Sequence, residues 1–151
     1  YWRVLSCDDL PTGVDRMIFD FGFNASTGRA AKQLQKLAGV RPDGDIGPVT
    51  PAALATKDVR SLLASLGAPW LARFQQWLGV QPDGVVGPET LGAIARKNDV
   101  NAAHDVLLVH ALATAQEAAY RSFRGFASYG EGWLNRLHWR VGAALSDIDA
   151  A

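Results

Sequence analysis

Cysteine is nearly missing from this chain. Cys7 is the one thiol in 151 residues, which excludes an internal disulfide and any thiolate metal cage; Cys7 itself reads as an inert thiol. Glutamate is almost as scarce, with Glu89, Glu117 and Glu131 as the whole supply. The three histidines, His104, His110 and His138, form no ligand pair at helical spacing, so no metal site and no cofactor is expected. Neither sign of charge is in excess: Lys plus Arg and Asp plus Glu are 15 each. No basic run interleaves with aromatics, which argues against a nucleic-acid partner. No apolar run reaches membrane-spanning length. Sustained alternation with β-branched enrichment is also missing, so strands are not expected. With 48% hydrophobic residues, the chain has enough apolar surface for one packed domain or two small ones, and a monomer is expected.

What the chain does have is one unit written twice, 40 residues apart. Leu34 to Leu54 and Phe74 to Ile94 are identical at ten of 21 positions, most of them turn-forming or helix-starting. A shared turn chemistry at fixed spacing implies one supersecondary unit built twice. In each copy a helix carrying Gln35 or Gln75 closes at Gly39 or Gly79, where glycine reaches the left-handed conformation. Pro42-Asp43-Gly44 and Pro82-Asp83-Gly84 then turn tightly: proline presets φ, aspartate holds a nearby backbone N–H, and glycine takes positive φ. Ile46 and Val86 are expected to point into the core. Gly47-Pro48 and Gly87-Pro88 open the next helix, with Glu89 suited to its positive end. Pro51 breaks the symmetry and predicts a later start in the first copy, with Thr50 as cap.

Apolar periodicity predicts further helices over 14–23, 29–38, 58–66, 69–78, 88–97 and 102–121, and a last one over about 133–146. The aromatic- and glycine-rich stretch 123–132 reads as a loop. The fold class is therefore all-α.

Three signatures occur in order: Leu10-Pro11-x-Gly13-Val14-Asp15 followed by Phe19-Asp20-Phe21-x-x-Asn24; Leu34-Gln35 with Asp43-Gly44-x-Ile46-Gly47-Pro48; and Phe126-Ala127-x-Tyr129-Gly130-x-Gly132-Trp133-Leu134-Asn135-Arg136. Together they resemble the glycoside hydrolase family 108 muramidases with their C-terminal peptidoglycan-binding region, a group that includes phage-type endolysins and secretion-activator proteins. The resemblance implies a compact, multi-helix, lysozyme-like C-terminal portion. Residues 1–28 would be the remainder of the muramidase-like region, and 29–151 a helical peptidoglycan-binding region with repeats at 34–54 and 74–94. It also implies glycan strands and stem peptides as partners, action in the periplasm or cell wall, and cleavage between N-acetylmuramic acid and N-acetylglucosamine by the complete protein. Two departures stand out. The family's catalytic E-G-G motif does not occur here, and Tyr1-Trp2 is similar to the Y-W that follows it, so the catalytic helix is expected to precede Tyr1. The family usually has one D-G-x-x-G-P unit here; residues around 58–98 read as an insertion that duplicates it.

Muramidase chemistry needs a carboxylic acid kept protonated near neutral pH. None of the three glutamates fits: Glu89 belongs to its helix start, Glu117 to a solvated face, and Glu131 to a position that is not an acid in the family pattern. Asp20 and Asn24 share a helix face, and burial among Phe19, Phe21 and Phe23 could raise the Asp20 carboxyl; the resemblance places them beside the catalytic cleft. The alternative is structural, with Asn24 ending its helix and Asp20 in an internal hydrogen bond. Asp43-Gly44 and Asp83-Gly84 either hold their own turns or touch ligand. Trp70 and Trp139 are open to stacking on sugar faces, whereas Trp77 and Trp133 fall on apolar stripes and read as core. Tyr129 and Arg136 belong to the specific C-terminal string; Arg136 could pair with a stem-peptide carboxylate, with Asp147 or with another internal acid. Two further readings stay open: a binding module without an active site that uses two repeats for avidity, and a structural helical domain, for instance of a phage particle.

Overall fold

The computed structural model describes residues 1–151. It is all-helical, as the periodicity predicts. A 3-10 turn at Cys7–Asp9 leads into α1 (Val14–Asn24), α2 (Thr27–Ala38), α3 (Val49–Ala55), α4 (Val59–Ser65), α5 (Ala68–Leu78), α6 (Pro88–Ala95), α7 (Val100–Ser122) and α8 (Phe126–Ala150). Side-chain caps start three of these helices: Ser26 for α2, Asp58 for α4 and Asp99 for α7 each accept a backbone N–H from the first turn, satisfying donors that the helix itself cannot.

Helix α7 is the axis of the fold. It packs against α1, α2, α4, α5, α6 and α8, and over 106–113 its residues are buried all round, as an apolar circumference allows. Val106, Leu107, Leu108, Val109 and Leu112 are almost fully buried. One continuous core joins them to Val14, Met17, Ile18 and Phe21 of α1, Leu34 of α2, Leu62 of α4, Trp70 and Phe74 of α5, and Leu137 and Val141 of α8. Each such side chain contributes roughly 1.5–3 kcal/mol through area removed from water.

Ile46 points into the core as expected, but Val86 is 41% exposed, and α8 runs on to Ala150; two further boundaries differ more from the sequence reading. Helix α3 begins at Val49 rather than after a Thr50 cap. Pro51 is its third residue, where the missing N–H has no intrahelical partner to lose. The stretch expected as a loop over 123–132 is helical from Phe126 onward. Glycine in a helix interior costs about 1 kcal/mol against alanine, but Gly130 is buried beneath the Phe126 ring, and a Cβ there would come within 2.4 Å of that ring. The glycine makes room for an aromatic corner, in which Phe126 also packs on Trp133 at 6.4 Å between centroids.

His110 sits inside the core between Trp70 and Phe74, with Nδ1 2.8 Å from the Val106 carbonyl. Burial pushes its pKa down from the ordinary 6.5 to about 4. The unfolded chain therefore takes up this proton first as the pH falls, so the stabilisation is complete above 6.5 and is lost toward 4. We expect the unfolding free energy to fall more steeply between pH 7 and 4.5 than in His110→Leu, by up to about 3 kcal/mol, as measured by urea denaturation. Asp105, pushed up to about 6 by burial, contributes the opposite slope in both proteins and cancels in the difference.

Candidate functional site

Each repeat folds as an elbow held by a buried glutamine. Gln35 closes the first: its Nε2 donates to Asp43 Oδ1 at 2.8 Å and to the Asp45 carbonyl at 2.9 Å, and its Oε1 accepts the Gly44 N–H at 2.9 Å. Gln75 repeats the pattern with Asp83 Oδ1, the Val85 carbonyl and the Gly84 N–H, and adds Thr90 Oγ1 at 3.1 Å. The aspartates brace the turn from inside by accepting the N–H two residues on, from Asp45 and Val85. That backbone hydrogen bond, followed by the one from Gln35, holds the Asp43 carboxyl below its ordinary range. Gly44 and Gly84 adopt φ of 87° and 74°, a region L side chains seldom enter. Asp43 and Asp83 thus hold their own turns, and neither lines any of the three principal cavities.

The second polar assembly joins α1, α7 and α8. Asp20 is 5% exposed and takes two hydrogen bonds from Arg136 and one from Arg140. Arg140 is fully buried, and it also donates to Gln116 Oε1 at 2.6 Å and Tyr120 Oη at 2.8 Å. Gln116 in turn donates to the Met17 carbonyl on α1 at 3.2 Å. This corrects the expected direction of the Asp20 titration. Burial does push the carboxyl up, but the hydrogen bonds and charges of Arg136 and Arg140 outweigh it, and the net shift is downward. Asp20 is held ionised and is not suited to be a general acid.

Beside this assembly lies a depression of about 400 Å³ lined by Phe23, Asn24, Tyr120, Phe123, Trp133 and Arg136. Asn24 ends α1 by donating to the Asp20 carbonyl at 2.9 Å. Trp133, read from its stripe as core, is only partly buried and stacks on Tyr120 at 5.7 Å. Exposed Tyr129 lies 6.2 Å from the Trp133 ring, and the Arg136 guanidinium sits 4.6 Å over exposed Trp139. The fold therefore brings Asp20, Asn24, Tyr129, Arg136 and Trp139 to one corner. Arg136 finds its carboxylate in Asp20, while Asp147 pairs with Arg16.

Trp70 does not join them. It is 1% exposed and packs face to face with His138 at 5.0 Å, so it offers no ring to a sugar; its place on α5 turns it onto α7. Several structural residues escaped sequence reading. Gln35 and Gln75 carried a usable signal, being identical in both copies and eight residues before the turn aspartate. Arg140, Gln116 and Tyr120 carried none, because their partners are distant in sequence. None of the three principal cavities is lined by Asp or Glu, and no three His, Cys, Asp or Glu residues converge in a way that could hold a metal ion.

Residues 69–138 match a protein-family model described as a predicted peptidoglycan domain. The whole chain is similar in fold to the structure of Brucella abortus SagA, with a TM-score of 0.52 and 24% sequence identity over 98% of this chain. The aligned region is 59% of that protein's chain, so this chain spans under two thirds of its length. No curated protein sequence matches this chain.

Two substitutions test the polar frame. Arg140→Met leaves Asp20 half-paired and strips Gln116 and Tyr120 of their donor; it should cost about 3–5 kcal/mol, against about 1 kcal/mol or less for half-exposed Arg136→Met. Gln75→Leu leaves the Gly84 N–H and Asp83 without their partner and should cost about 2 kcal/mol, read in thermal unfolding as a drop on the order of 4–8 °C.

Proposed function

We propose that this chain is the peptidoglycan-binding portion of a family 108-type muramidase, and that the complete protein hydrolyses the bond between N-acetylmuramic acid and N-acetylglucosamine. The observation that carries this reading is the aromatic depression at the α1, α7 and α8 corner. Flat apolar sugar faces suit the rings of Phe23, Phe123 and Trp133, and hydroxyl and N-acetyl groups suit the Asn24 amide and the Arg136 guanidinium. Four of its six lining residues, Tyr120, Phe123, Trp133 and Arg136, fall within the segment that matches the peptidoglycan family model. Exposed Tyr129 and Trp139 extend the apolar surface on either side of Arg136 along α8.

Within these residues the role is binding rather than cleavage. Glycoside hydrolysis requires a carboxyl protonated near neutral pH, flanked by a second carboxylate or a positioned water. No Asp or Glu lines the depression, and Asp20, bonded to its Arg136, is kept charged by two guanidiniums. The proton donor would come from another part of the complete protein. The cell wall or periplasm is the place of action that this reading implies.

Cosedimentation with purified insoluble peptidoglycan tests the proposal. The chain should pellet with the polymer, and Phe23→Ala or Tyr129→Ala, both exposed and outside the core, should each weaken binding by up to about tenfold. The purified chain should leave the turbidity of a cell-wall suspension unchanged. Failure to pellet would overturn the binding reading, and clearing of the suspension would overturn the absence of an acid.

A further inference from the structure

The largest of the three principal cavities is not the aromatic depression but a groove of about 740 Å³ between α2, α4 and α7. Its charged lining is cationic. Arg29, Lys32, Lys36 and Lys57 line it, none of them in an ion pair, and no Asp or Glu lines it. In a chain with zero net charge, this is a local concentration of one sign against a low-dielectric wall, which focuses the field on an anion. The floor is made of methyl groups: Ala111, Ala115, Ala118 and Ala119 run along the open side of α7, with Leu37 and Leu62 facing them. Gln33 also lines the groove, and its Oε1 is buried with no hydrogen-bond partner, an acceptor awaiting a donor.

The first elbow places two of the cations. A Cβ at Gly44 would lie 3.5 Å from Lys32 Cε, and one at Gly39 would lie 3.5 Å from Lys57 Nζ. The second copy borders only a smaller hollow of about 250 Å³, lined by Leu78, Gly79, Val80, Ala93, Arg96 and Lys97. Forty residues on, Arg29, Lys32 and Lys36 become Pro69, Ala72 and Gln76. Lys57 becomes Lys97, which is held over the Trp77 ring at 4.4 Å, and Gly79 and Gly84 face open space.

We propose that this groove binds the stem peptide of peptidoglycan, a short chain with small methyl side chains and several free carboxylates. The inference rests on the wall-binding reading above and assigns the peptide to a surface separate from the one proposed for the sugars. The cations meet the carboxylates, the alanine floor accepts the methyl groups, and Gln33 Oε1 accepts a peptide N–H. A volume of 740 Å³ falls in the range of small-ligand sites, which favours a few extended residues over a helix of a partner protein. The two elbows are then unequal: the first borders a groove of about 740 Å³ with four cations, the second a hollow of about 250 Å³ with two.

The test titrates the full 151-residue chain, by calorimetry or chemical-shift perturbation, with the free tetrapeptide L-Ala–γ-D-Glu–meso-diaminopimelate–D-Ala, with the same peptide amidated at its carboxyls, and with an acidic amphipathic helical peptide. Lys32 and Lys36 are exposed, so the Lys32→Gln/Lys36→Gln variant should fold normally. The tetrapeptide should bind, the amidated form should bind more weakly, and the double variant should lose on the order of tenfold in affinity while still pelleting with amidase-stripped glycan. Absence of tetrapeptide binding at millimolar concentration, binding that the double variant leaves unchanged, or tighter binding of the helical peptide would each overturn the proposal. Sedimentation with intact sacculi, run in parallel, reports on the wall-binding reading independently.

Discussion

A single buried cation fixes how this molecule is assembled. Arg140 has no contact with water, and its three hydrogen bonds reach Asp20 on α1 and Gln116 and Tyr120 on α7. Removing a guanidinium from water is expensive, and the arrangement is tolerable only because an ionised carboxylate and two neutral oxygens surround it. The requirement works in both directions. Helices α1, α7 and α8 must meet in one register for Arg140 to be satisfied, so other packings of the same apolar surfaces would leave a bare charge. The hydrophobic core supplies the stabilisation, and the arginine selects one arrangement among those the core would accept.

The elbows show the same logic in neutral form. A glutamine buried in a helix reads the turn that follows it through both ends of its amide, once per copy. Turn chemistry alone would permit several conformations of Pro-Asp-Gly; the amide, with one donor end and one acceptor end, accepts one. This is why ten identities suffice to conserve the shape between copies whose other residues differ as much as Leu37 and Trp77. It also explains why the two copies can diverge in use. Their outward faces are unconstrained by the elbow: the first presents Lys32, Lys36 and Lys57 there, the second Lys97 alone.

Much of the fold is legible in the sequence, because helix periodicity, glycine stops and proline starts are local signals. Both elbows and the central helix α7 follow from them. The misjudged segment, 123–132, is instructive. Its glycines read as loop residues, whereas Gly130 is small so that Phe126 can lie across the helix. Pairwise packing of that kind lies outside any local propensity scale. The candidate site is less legible than the fold. Asp20, Asn24 and Arg136 could be singled out, but the pairing of Asp20 with Arg136 across 116 positions could not, nor could the reversal it imposes on the Asp20 titration. Trp70, expected to be open, is buried, while Trp133, expected in the core, packs against it but stays partly exposed, because stripes on neighbouring helices determine which ring faces inward. The cationic groove is spread over three helices, and its lysines carry no motif.

Helix α8 is 25 residues long, and α1 is tied to it twice: near its middle through Asp20 with Arg136 and Arg140, and near its end through Arg16 with Asp147. Two fixings along one rod prevent α1 from hinging, and the depression at its C-terminal end inherits that rigidity. On the binding reading proposed above, a ligand arriving there would meet walls already in position, so the entropy of organising them would be settled during folding and not subtracted from affinity.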